Sequence, residues 1–319
     1  MSVAACLLLY SIAVAVLGPR LLVGLTRAGV APGLGVAAWL AAIGSVVLSW
    51  VSAAAFLGVE LVRDWNQPGR ILRTCFAALR SVAAGRYGVL IQIGLLALTT
   101  FAAVALAVLA GNLAQSLARA RASTHQHARM ARLAGRRVPG LDAVVFDAPE
   151  RAAYCAAGRP HTIVVTSAAL DVLDVRQLGA VLSHERAHLA GRHHLPLALT
   201  AALATILPRL ALFTTGAIEV ARSLEMCADD AAARTHGAPT VLGALLTLSG
   251  GAPLPTGALG ATGVGVLARA ERLAAQPRAA LRWRVRLLLS AITVLLLTGP
   301  VLTGVLAASG MSFCGSPSL

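Results

Sequence analysis

The chain of 319 residues contains no lysine, so all 27 of its basic side chains are arginines. Acidic residues number only thirteen and aromatics make up 4% of the chain. A net charge of +14 with so few aromatics argues against a nucleic-acid-binding face and fits arginines flanking membrane spans. The five cysteines (Cys6, Cys75, Cys155, Cys227 and Cys314) are odd in number, scattered, and form no CxxC. That excludes a disulfide framework and a thiolate zinc ribbon. No basic residue precedes the first apolar run, which excludes the usual start of a cleaved signal peptide.

What is present is apolar. Hydrophobic residues make up 57% of the chain, and mean hydropathy is +0.77, values that indicate a membrane protein rather than a soluble one. The expected organisation is three spans within residues 1–113 (about 3–18, 35–59 and 89–113), a domain over 114–286, a fourth span at 287–308, and a tail at 309–319. Arginines 119–137 and 278–286 border that domain and place it in the cytoplasm under the positive-inside rule. Arg63, Arg70, Arg73, Arg80 and Arg86 in the loop 60–87 run against that rule, and residues 71–82 are read as an amphipathic segment on the membrane surface. A further apolar stretch at 195–220 is broken by Pro208 and Arg209, which favours two shorter helices over a span. Between 143 and 166, "AVVFDAP" and "HTIVVTSA" have strand character, so the domain is α+β.

Four of the eight histidines fall in "AVLSHERAHLAGRHHL", residues 180–195. His184 and His188 stand four positions apart, project from one face of a helix, and can bind one metal ion, with Glu185 beside them to handle a water proton. Asp174 is placed to cap that helix. Catalytic zinc takes three protein ligands and leaves one position open, and two residues compete for the third place. His194 completes the string HExxHxxGxxH, but that pattern also needs a tight Met-turn, and the nearest downstream methionine, Met226, sits in a helical pattern. Glu225 forms an i, i+4 pair with Asp229 in "RSLEMCADDAAARTHG", on a helix expected to stop at Gly237, so one carboxylate can bind metal and the other orient a ligand histidine. Glu225 is the favoured ligand, which leaves His193 and His194 as polar residues at a helix end.

These residues carry a resemblance. The segments "TIVVTSAALDVL", "QLGAVLSHERAHLAGRHHL" and "LEMCADDAA" resemble the BlaR/MecR-type membrane zinc metallopeptidases and, more distantly, the HtpX and CAAX-prenyl protease group. The resemblance implies a multi-pass α-helical membrane protein with an inserted α+β, gluzincin-like peptidase domain. It implies one Zn²⁺ per chain on His184, His188 and Glu225, with Glu185 as catalytic base. The BlaR/MecR β-lactam sensors carry a penicillin-binding domain after the last span, acylated at an SxxK serine. Here that sensor domain is expected to be missing, and the lack of lysine leaves no SxxK.

The expected reaction is peptide-bond hydrolysis, with Asp229 orienting a ligand histidine and His236 placed to stabilise an oxyanion. The strand at 162–166 is a candidate edge for an extended substrate. Expected partners are membrane lipid, a protein substrate such as a winged-helix repressor, and a separate sensor protein, without direct nucleic-acid binding. The leading function is regulated proteolysis in the cell membrane. Quality control of membrane proteins and a non-catalytic scaffold are the alternatives.

Overall fold

The computed structural model describes residues 3–63, 88–250, 265–275 and 279–309. The loop expected to lie on the membrane at 71–82 falls outside them, as does nearly all of the expected tail.

Four helices are long and apolar enough to cross a membrane. They are α1 (Val3–Thr26), α2 (Pro32–Arg63), α3 (Gly88–Ala134) and, at the far end of the sequence, a helix over Ala279–Ala308. Each is longer than its apolar run suggested. The first continues through Pro19, α2 begins with Pro32 in its first turn, where a missing N–H costs nothing, and α3 runs on as one helix into the arginine-rich segment. Leu8, Leu9, Ile12 and Val16 on α1 and Phe101, Val104 and Val108 on α3 are exposed, as side chains facing hydrocarbon would be.

The chain divides into two compact units. One comprises residues 1–21, 41–112 and 291–319. There the Tyr10 hydroxyl donates to the Leu296 carbonyl at 3.3 Å, and Trp50 Nε1 donates to Ser11 Oγ at 3.2 Å. Tyr10 lies so close to Gly299 that a β-carbon there would collide with its ring.

The other unit comprises residues 22–40 and 113–290, so the α1–α2 connection belongs to it. Arg222 Nη1 donates to the Arg27 carbonyl at 2.8 Å. Gly29 adopts a left-handed φ of 60°, which disfavours other residues, and a β-carbon there would fall against the Met226 sulfur.

Within this unit a four-stranded sheet is formed by β1 (Arg136–Arg137), β2 (Val144–Phe146), β3 (Ala153–Ala156) and β4 (Thr162–Thr166), in the order β1-β2-β4-β3. β4 pairs parallel with β2 and antiparallel with β3. All five residues of β4 are buried. The expectation of β4 as an open edge is therefore overturned, because both its sides are paired. The edge on that side is β3, a strand absent from the sequence reading, and the opposite edge is β1.

Helices cover the sheet: α4 (Ser167–Val172), α5 (Val175–Ala190), α6 (His194–Ile206), α7 (Ala211–His236), α8 (Ala238–Ser249) and α9 (Val266–Ala274), followed by α10 (Ala279–Ala308). α5 starts as expected at Asp174, which accepts from the Gln177 N–H at 2.8 Å while the Gln177 side chain returns a bond to the Asp174 N–H. The apolar stretch at 195–220 is two helices, broken over Leu207–Leu210 around Pro208. α7 ends at Gly237, whose φ of 80° turns the chain directly into α8. Ala153, Ile163, Val165, Val181, Leu182 and Leu248 join strands, α5 and α8 in one core. This core fixes α5 against β3 and leaves α7 packed along the other side of α5.

Candidate metal centre

α5 carries its chemistry on the buried side. His184 and Glu185 are each 6% exposed, between the core residues Val181 and Leu182 and the facing helix α7. One turn on, His188 lies beside His184 with ring centroids 4.8 Å apart. α7 brings Glu225 across from them. His184 Nε2 is 3.1 Å from His188 Nε2 and 3.5 Å from Glu225 Oε2, and His188 Nε2 is 3.4 Å from Glu225 Oε1.

These distances test whether the residues suit a metal. A tetrahedral zinc ion with bonds of about 2.0–2.1 Å needs neighbouring donor atoms about 3.3 Å apart. Two imidazole nitrogens and the oxygens of one carboxylate lie close to that spacing. A cation is what satisfies such an arrangement, and a His₂Glu set suits zinc. Among the described residues this is the one such cluster of metal-binding side chains.

The outer partners are also buried. Asp229, one turn beyond Glu225, places Oδ1 3.1 Å from His184 Nδ1. Arg269 on α9 reaches in from the far side, 2% exposed, and donates to both Asp229 oxygens at 2.7 and 2.8 Å. Its Nη1 lies 2.9 Å from Glu225 Oε2. Sequence reasoning missed Arg269. The available signal was a charged residue on the apolar face of "VLARAERLA", one turn before the buried Leu273.

The electrostatics separate the two histidines. Burial opposes protonation of His184, but the Asp229 and Glu225 carboxylates overcome it and raise its pKa to about 9. His188, lacking a second carboxylate of that kind, is lowered by burial to about 4. Glu225 and Asp229 would be raised by burial, yet hydrogen bonds from His184 and the charge of Arg269 hold both below the usual carboxylate range. Glu185 is pushed up to about 7, first by burial and against the pull of His184. The Cys155 thiol on β3 faces it, itself raised by burial, and so remains a protonated neighbour. A small cavity of about 30 Å³ is lined by His184, Glu185, Asp229 and Arg269 together with apolar side chains such as Val181, Val241 and Leu248, and it reaches neither His188 nor Glu225.

Other candidates lie elsewhere. His194 opens α6 and lines a separate cavity of about 780 Å³ with His125, His161, Arg121, Arg159 and Arg192. It does not join the His184–His188–Glu225 cluster. His236 packs its ring over Gly179, more than a turn before His184 on α5. It lies eleven positions beyond Glu225, about 16 Å along α7. The fold does not bring it to the centre, because the i, i+4 logic that gathers Glu225 and Asp229 does not reach that far.

The model of Peptidase family M48 matches residues 117–302, more than half of the chain. Members of this family depend on a metal, usually zinc. The match supports the zinc metallopeptidase part of the resemblance seen in the sequence and does not extend to the BlaR/MecR type. No curated protein and no solved structure matches the chain.

Proposed function

The chain belongs to Peptidase family M48, and from that premise we propose a membrane-embedded zinc endopeptidase in which His184, His188 and Glu225 hold the metal and Glu185 moves the protons. The observation that carries this reading is the trio of donor atoms at 3.1–3.5 Å, set by two helices from distant parts of the sequence.

Zinc in such a site lowers the pKa of water and polarises the scissile carbonyl. Glu185 takes the proton from the attacking water and returns it to the leaving amine nitrogen. In the metal-free site burial raises the Glu185 pKa to about 7, and the charge of a bound zinc would pull it back toward the proton-accepting carboxylate. Asp229 accepts the His184 Nδ1 hydrogen, which leaves Nε2 bare toward the metal, and Arg269 holds Asp229 in place. The open edge of β3, whose Cys155 faces Glu185, offers backbone groups to an extended peptide. His236 takes no part.

The four apolar helices are compatible with a membrane-associated enzyme. The arginines that border the domain favour a cytoplasmic site. The proposed substrate is a cytoplasmic protein, with a transcriptional repressor as the reading that the sequence resemblance favours.

A comparison of protein termini in cells expressing the wild type or Glu185→Ala tests this, with zinc measured in both purified proteins. One regulator cut only by the wild type supports regulated proteolysis. Many cut membrane proteins would move the function to quality control. Equal termini would overturn the peptidase reading.

A further inference from the structure

α5 ends in a turn that does more than stop a helix. The His193 N–H bonds the His188 carbonyl at 3.0 Å, the Arg192 N–H bonds the Leu189 carbonyl at 3.1 Å, and Arg192 takes a left-handed φ of 50°. This is the Schellman pattern, in which the left-handed position is usually glycine and the residue after it makes a hydrophobic contact back to the helix. Both habits are broken here. The left-handed position is an arginine, and the contact back to the helix is imidazole on imidazole.

The glycine has moved one place earlier, to Gly191, where φ is an ordinary −77°. Its use there is space: a β-carbon on Gly191 would fall against the His193 ring. With that space left open, His193 Nδ1 comes within 2.9 Å of His188 Nδ1, the rings perpendicular and their centroids 4.8 Å apart. His193 also precedes α6 without making a side-chain cap for it. The ring is committed to His188 instead.

We propose that His193 is a positioning residue for the metal ligand His188, fixing its tautomer and ring orientation as Asp229 does for His184. The inference rests on the zinc site proposed above. His188 Nε2 faces His184 and Glu225 and must be bare to bind a metal. Its hydrogen therefore sits on Nδ1 and is donated to His193 Nδ1, which leaves the His193 hydrogen on Nε2. The two ligand histidines are thus anchored by different chemistry, one by a carboxylate locked to an arginine and one by a neutral imidazole held in a helix-ending turn. Losing such an outer partner weakens metal binding by about 10- to 100-fold.

The test measures zinc affinity of the full-length, detergent-solubilised chain by competition with a chelator. Variants are His193→Leu, His193→Asn and Gly191→Ala, with thermal unfolding of each metal-free protein to show that it is folded. Asparagine can place an acceptor oxygen near the position of Nδ1. The expected result is a loss of about 10- to 100-fold for His193→Leu and Gly191→Ala, with His193→Asn within a few-fold of wild type. Wild-type affinity in His193→Leu would overturn the inference, and so would an equal loss in His193→Asn, since that would leave no role for an acceptor. Loss of zinc in Glu225→Ala keeps the underlying site standing in either case. A wild-type chain that binds no zinc would overturn the site itself.

Discussion

The long apolar helices and the α5–α7 pair use their polar side chains differently. In the long apolar helices several hydroxyls donate to their own helix: Ser11 to the Leu8 carbonyl, Ser45 to Ala42, Ser49 to Ser45, and Thr298 to Val294. Each donates within its own segment, although Ser11 also accepts from Trp50 Nε1 and the Tyr10 hydroxyl donates to the Leu296 carbonyl on another of these helices. Around α5 and α7 the polar groups bond across elements, so that Glu225 and Asp229 of α7 meet His184 of α5 and Arg269 of α9. Three of the thirteen acidic residues, Glu185, Glu225 and Asp229, are gathered at this one place. The difference shows where tertiary structure is indispensable. The hydroxyl donors of the long apolar helices named here need only their own helix, whereas the centre needs side chains from α5, α7 and α9 together.

The sharpest break of that contrast is at Glu185. Glu185→Gln keeps the size of the side chain but cannot accept a proton, so hydrolysis of an unfolded protein substrate should fall by about a hundredfold to ten-thousandfold, with zinc content unchanged. Arg269→Met comes next. It leaves Asp229 and Glu225 buried without their cation and should cost about 3–5 kcal/mol of stability, measured by denaturant unfolding in detergent. Adding Asp229→Asn to that variant should recover part of the loss, because the uncompensated charge is then gone.

A smaller effect comes from pH. In the metal-free protein His184 holds its proton up to about pH 9, and only the neutral imidazole binds a metal. Zinc affinity should therefore rise with pH by about tenfold per unit below that value and level off above it, read by chelator competition. In Asp229→Asn the main partner that raises the His184 pKa is lost, so the plateau should begin at lower pH. The smallest effect belongs to the long apolar helices: Ser49→Ala removes a buried hydroxyl that serves only its own helix and should cost about 1 kcal/mol of stability. A large loss there would break the contrast between the two regions.

What could be seen in the sequence follows the same division. The HExxH helix and its Asp174 cap were legible because all their determinants lie within sixteen residues of one helix. Glu225 and Asp229 were legible as one turn of another. Arg269 was not, since it stands forty residues beyond Asp229 on a short helix, one among 27 arginines, and only packing selects it. His193 was read as a polar residue at a helix end because its role depends on a backward turn that spacing alone does not reveal. β3 escaped because "AYCA" is four residues long and small in side chain, and its omission made β4 look like an edge. His236 looked useful from its place on α7, but helical rise carries it away from the centre.

The central claim is that two histidines and one glutamate hold the metal. X-ray absorption at the zinc edge on the purified full-length chain, beside Glu225→Ala and His194→Ala, tests it most directly. The account predicts one zinc per chain with two imidazoles and a carboxylate in the wild type, an unchanged spectrum in His194→Ala, and loss of the metal in Glu225→Ala. Three imidazoles in the wild type, with the third lost in His194→Ala, would contradict it.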